Sequence, residues 1–193
     1  MLGEKSGRQI RRGGLLALVL AAGLPLLSAC SQAPAHNMPC PMVQVLPDAA
    51  YLTRFAGDSE DLTDTAFEAR IGLSNQVCHY QVNTDTQKTV ILTDLTLQVQ
   101  ASRGPKLTGD KADFRYFVSV TGPGGSHVGD PKWRNTFDVS IPLTADKPTN
   151  GVLDSPTIQI PVKKDENGDF YRIYVYLDVT QQELAYNRRN PKQ

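Results

Sequence analysis

Apolar side chains recur at every second position along most of this chain, the spacing that turns one face of an extended strand toward a core and the other toward water. Phe67, Ala69, Ile71 and Leu73 alternate with Glu68, Arg70 and Gly72, and Cys78, Tyr80 and Val82 repeat the pattern. Four further runs follow: Leu95, Leu97, Val99 and Ala101; Phe114, Tyr116, Val118 and Val120; Phe137, Val139 and Ile141; and Ile158, Ile160 and Val162. The last run, Tyr171, Ile173, Val175, Leu177 and Val179, alternates with Arg172, Tyr174, Tyr176 and Asp178. Two shorter strands are expected at residues 43–46 and 51–55.

Clusters of Gly, Pro, Asn and Asp separate these runs, and many short strands so punctuated predict an all-β fold, an antiparallel sandwich of about seven to nine strands. Between the last two runs lies Lys163-Lys164-Asp165-Glu166-Asn167-Gly168-Asp169, whose Asn-Gly pair predicts a tight hairpin joining two antiparallel neighbours. A helical start appears at Thr180-Gln181-Gln182-Glu183, a capping-box pattern in which hydroxyl and carboxylate satisfy two backbone donors. Leu184, Ala185 and Tyr186 follow, with Arg188 and Arg189 at the end favoured by the helix dipole. A short helix near residues 180–188 is expected, either packing Leu184 over a sheet edge or docking a partner.

The first 29 residues carry a different pattern. Lys5, Arg8, Arg11 and Arg12 precede an apolar stretch over residues 15–27, and small residues Ser28 and Ala29 follow, which are the three parts of an export signal. The uncharged stretch is short for a bilayer span and contains Gly23 and Pro25. Leu27-Ser28-Ala29-Cys30 resembles the lipobox of bacterial lipoproteins. That resemblance implies cleavage before Cys30, a diacylglyceryl group on its sulfur and an acyl chain on its new amino group, two or more chains being enough for stable attachment. Ser31, rather than Asp, resembles the enteric pattern for release to the outer membrane. The expected organisation is a signal peptide at 1–29, a lipidated tether at 30–39 and one β-sandwich domain at 40–193.

Cleavage changes the charge. It removes four of the 20 cationic side chains and one of the 20 carboxylates, leaving 16 against 19 and a net charge of about −3. That mixed, mildly acidic surface provides no basic face for nucleic acid. It also changes the cysteine count: with Cys30 spent on lipid, Cys40 and Cys78 remain as an even pair in an oxidising compartment and predict a disulfide. Closing a loop of 38 residues is worth roughly 4 kcal/mol in the chain-entropy model.

Other constellations are weaker. His36, Met38, Cys40 and Met42, joined by Cys78 and His79, are a donor set suited to copper(I) or zinc, and so define an alternative metal or redox carrier. The expected disulfide consumes both thiolates, and adjacent Cys78 and His79 on a strand point to opposite faces. Asp165, Asn167 and Asp169 alternate like calcium ligands, yet the glycine falls at the wrong place and no bidentate glutamate follows. No nucleophile-elbow, zinc-protease or phosphate-loop motif is present, and three histidines leave little base capacity near neutral pH, so no catalytic residues and no cofactor are assigned. Residues 122–134 form the longest loop-like stretch between strands. Its His127, Lys132, Trp133 and Arg134 are the candidate binding residues, since loops on rigid scaffolds carry binding and Trp with Arg is enriched at interface hot spots. A hairpin connection with Trp133 in the core accounts for the same residues.

The architecture resembles immunoglobulin-like or fibronectin-III-like sandwiches, although both Cys40 and Cys78 precede the single Trp133, unlike the antibody order. The mature chain as a whole resembles the small all-β lipoproteins of Gram-negative envelopes, which implies a non-enzymatic binding or assembly module. Its expected partners are the membrane, through the lipid on Cys30, and an envelope protein, with the outer membrane facing the periplasm as its place.

Overall fold

The computed structural model describes residues 38–128, 134–163 and 165–192, which build ten strands in two five-stranded sheets and one helix, an all-β sandwich. The lipobox with Cys30, the tether up to residue 37, and Lys132 and Trp133 lie outside the described residues. In chain order the strands are β1 Met42–Val45, β2 Tyr51–Phe55, β3 Thr65–Asn83, β4 Lys88–Arg103, β5 Lys111–Thr121, β6 His127–Val128, β7 Asn135–Pro142, β8 Thr149–Asp154, β9 Thr157–Val162 and β10 Arg172–Leu177; helix α1 is Gln181–Arg189.

The first sheet runs β1-β10-β5, with β6 and β7 along the other edge of β5. Its β1 and β10 pair in parallel, Met42 opposite Arg172. The second sheet runs β2-β3-β4, with β8 and β9 sharing the free edge of β4. Proline explains that shared edge: Pro156 interrupts what would otherwise be one strand, and its carbonyl still accepts from Leu95 N at 3.0 Å.

The sequence reads β3 as two runs, residues 67–73 and 78–82, and both belong to one 19-residue strand. A register shift between Leu73 and Asn75 marks a bulge, and a bulge inserts one extra residue, so the apolar phase changes from odd to even positions there. Phe67, Ala69 and Ile71 are buried before it, and Cys78 and Tyr80 pack against the core after it.

The alternating face of β10 lies as expected. Ile173, Val175 and Leu177 are fully buried between the sheets, together with Leu95, Leu97 and Val99 of β4 and Tyr116 and Val118 of β5.

The expected hairpin between the last two strands does not form. β9 pairs with β4 in one sheet and β10 with β5 in the other, so residues 163–171 cross from sheet to sheet. The reason is local. A type I′ turn needs positive φ at both central residues, whereas Asn167 has φ −140° and spends its side chain accepting from Asp169 N at 2.9 Å. Gly168 is needed for a close approach instead: a Cβ there would lie 2.1 Å from Pro39 O and 2.7 Å from Cys40 C. The two-glycine hairpin of this chain is at β5–β6, where Gly124 and Gly125 adopt φ +70° and +77°.

Helix α1 begins with the full capping box, Thr180 Oγ1 accepting from Glu183 N at 3.2 Å and Glu183 Oε2 from Thr180 N at 2.7 Å. It docks through other residues than Leu184. Tyr186 meets Phe55 edge-on with ring centroids 5.3 Å apart, Asn187 donates to the carbonyls of Asp48 and Tyr51 at 2.8 Å each, and Glu183 pairs with Arg54 at 3.0 Å. Leu184 is half-buried.

Candidate functional site

The chain enters the described domain through a staple. Cys40 is bonded to Cys78 of β3, with Cα atoms 5.8 Å apart. Two residues along the same strand face, the Tyr80 hydroxyl donates to Pro39 O at 2.6 Å and accepts from Gly168 N at 2.7 Å, and Gln76 Nε2 donates to Pro41 O at 3.1 Å. One end of the sandwich is thereby closed on its β1 side, where both sheets and the 163–171 crossover meet.

On the other side of that end the sheets part around a cleft of about 620 Å3. Its walls are aliphatic: Val90 of β4, Pro161 and Val162 of β9, Val128 of β6 and Pro123 of the β5–β6 turn. Behind two of its lining residues the packing is tight, since a Cβ on Gly122 would come within 3.2 Å of both the Tyr171 ring and Val128. Lys88, Lys163, Glu166, His127 and Tyr171 supply its polar groups. Tyr171 donates to Glu166 Oε2 at 2.5 Å and lies 3.4 Å from Pro161 O. Burial, reinforced by the bond to Glu166, pushes the Tyr171 phenol from 10.0 up to about 12. The same bond, from the carboxylate's side, holds Glu166 below its ordinary value.

A second cavity, about 450 Å3, lies between helix α1 and the outer surface of the β1-β10-β5 sheet. Arg134 lines it, with its guanidinium carbon 3.9 Å from the Phe117 ring centroid, a cation–π geometry. Phe117 in turn lies 5.5 Å from Tyr176, and Leu46, Pro47 and Leu184 complete the apolar wall. The charges around it are paired, Arg188 with Asp48 at 2.9 Å and Arg115 with Asp178 at 2.6 Å.

The structure therefore separates two residues that the sequence grouped in one loop. His127 faces the end cleft and Arg134 the groove under the helix. Lys132 and Trp133 lie outside the described residues, as do Cys30 and His36. The carrier constellation is dispersed as well: Cys40 and Cys78 are joined to each other, His79 is exposed on the opposite face of β3, and Met42 is exposed on β1. Sequence reasoning missed the cleft residues Val90 and Glu166, and assigned Tyr171 only to the core. The signal was present in part, because Tyr171 combines an apolar ring with a hydroxyl beside a charged turn, and such a buried hydroxyl calls for a partner.

No protein-family model, curated protein or solved structure matches this chain. Among the described residues no helix is long and apolar enough to cross a membrane.

Proposed function

We propose that the mature chain is a lipid-anchored, non-enzymatic binding or assembly module of a bacterial cell envelope, tethered through Cys30 to the periplasmic face of the outer membrane. The end cleft is the surface it offers to a ligand or envelope protein. The observation that carries the binding reading is the cleft itself: aliphatic walls with a few convergent polar groups, at a volume of about 620 Å3, inside the roughly 300–1,000 Å3 typical of ligand sites. The lipobox supports the anchor, and the Cys40–Cys78 bond suits an oxidising compartment.

Three measurements test this. A photo-crosslinker at Val162, inside the cleft, should give a discrete adduct in intact cells, while one at Leu62, in the turn at the opposite end of the second sheet, should not; no adduct from Val162 would overturn the cleft assignment. Mass spectrometry of the protein from its native membrane should show a chain starting at lipidated Cys30, and C30S should accumulate as uncleaved precursor. Thiol titration separates the rival carrier built on Cys40, Cys78, His36 and Met42: it requires two free thiols in the envelope protein, whereas the binding module has none.

A further inference from the structure

We propose that the stapled end of the sandwich rests on the lipid bilayer, with Met38, Met42, Val82 and Phe170 as the side chains that enter the phospholipid interface. The proposal rests on the lipid-anchor reading of Cys30 and adds to it an orientation and a contact surface.

The first argument is reach. Ten residues separate Cys30 from Cys40, a span of at most about 36 Å even if fully extended. β3 alone has 19 residues, roughly 60 Å at strand rise. The disulfide and the Tyr80 hydroxyl pin residues 39 and 40 beside Cys78, and the 13 residues of β3 from Cys78 back to Thr65 span roughly 43 Å, more than the tether, so the domain cannot stand upright on its opposite end.

The second argument chooses between standing and lying flat. Met38, Met42, Val82 and Phe170 are between 48% and 57% exposed and come from four separate segments, while Leu62 and Leu153, at 63% and 67%, are exposed singly elsewhere on the domain. The staple gathers the first four. Met38 precedes Pro39, Met42 pairs with Arg172, Phe170 stands two residues past Gly168, and Val82 shares the Tyr80 face of β3. Apolar side chains exposed at one end from several segments suit an interaction surface. The crossover that carries Phe170 has mixed charge, Lys163, Lys164 and Arg172 against Asp165, Glu166 and Asp169, so the proposed contact is apolar and does not depend on anionic lipid. Four side chains bind weakly alone, but a lipid tether raises their effective concentration at the surface to about the millimolar range.

The test uses the lipidated mature chain carrying Trp133→Phe, reconstituted in phosphatidylcholine vesicles, with a single indole introduced by F170W, M42W or L62W. Interfacial insertion places apolar side chains roughly 5–10 Å into the headgroup and acyl boundary, so phosphatidylcholine brominated near the headgroup should remove about half the emission from F170W and M42W and leave L62W unchanged. Vesicle flotation and intact mass run alongside. Protein that is lipidated and floats but shows no quenching at F170W or M42W, or equal quenching at L62W, overturns the orientation and leaves the anchor standing. A chain without lipid that fails to float overturns both. Quenching that disappears in 1 M salt would overturn the apolar character of the contact.

Discussion

Two tyrosine–carboxylate pairs hold this sandwich, and they differ in place more than in chemistry. In the middle, the Tyr116 hydroxyl of β5 donates to Asp154 Oδ2 of β8 at 2.7 Å, joining one sheet to the other, with its ring stacked 4.8 Å from Phe137. At the open end, Tyr171 donates to Glu166 within the crossover that leads into its own strand. Tyr116 is fully buried, and burial together with the Asp154 bond drives its phenol well above the ordinary range; Tyr171 rises only to about 12. The same donor and acceptor thus make a structural cross-link where the sheets touch and a cleft wall where they part. Burial and connectivity decide which.

The comparison is sharpened by perturbing each region. The largest effect should come from the open end's covalent staple: replacing Cys40 and Cys78 together with Ser should cost about 4 kcal/mol in denaturant melts, the value for a loop of 38 residues. A loss under about 1 kcal/mol would mean that Tyr80 and Gly168 hold that end without the bond. In the middle, Ile173→Ala should cost about 3 kcal/mol by lost burial and a cavity, and Tyr174→Ala, on the half-exposed face of β10, less than half of that. Equal losses would show the outer face of the sheet to be as tightly covered as the inner one.

Gly168→Ala should cost about 2 kcal/mol, because its Cβ would meet backbone atoms of Pro39 and Cys40 that cannot rotate away. In a type I′ hairpin turn alanine would strain only the positive-φ position and leave the Cys40–Cys78 staple undisturbed, so a loss confined to the turn would overturn the close-approach role. Tyr116→Phe should cost about 1–2 kcal/mol, since it leaves the Asp154 carboxylate without its donor, and Tyr171→Phe under about 1 kcal/mol, since Glu166 is open to water.

Alkaline titration gives the finest comparison of the two pairs. A phenol whose folded value is raised contributes stability in full below its unfolded value and loses it as pH rises toward the folded one. For Tyr171 that window runs from about 10 to about 12; for Tyr116 it opens at the same pH and extends further. Thermal melts above pH 10 should therefore show a steep fall that Tyr116→Phe flattens more than Tyr171→Phe. Glu166 works in the opposite direction: its lowered value gives a contribution present above its ordinary 4.5 and lost as pH falls below it.

The period-two pattern by itself determined the fold class and most of the inward faces, because burying one side of a strand leaves a mark at every second residue. Ile173, Val175 and Leu177 and the run from Leu95 to Ala101 are buried as that pattern requires. The capping box was equally legible, since all its partners lie within four residues. Cysteine counting, with Cys30 set aside for the expected lipid, paired Cys40 with Cys78, and the structure joins them.

What tertiary structure alone decided was which strands become neighbours and what lies at their ends. Asn167-Gly168 has the composition of a hairpin turn, yet the glycine serves a close approach to Pro39, 129 residues earlier in the chain, that no local window contains. β8 was not expected as a strand at all, because its Thr149-Asn150-Gly151 start has no alternation and it is held as an edge by pairing with β4. His127 and Arg134 stand seven positions apart in sequence and line different cavities, because β6 pairs back onto β5 and Arg134 reaches over Phe117. Pairing partners, and the clefts left where paired sheets diverge, depend on contacts between distant residues, and local periodicity carries no record of those.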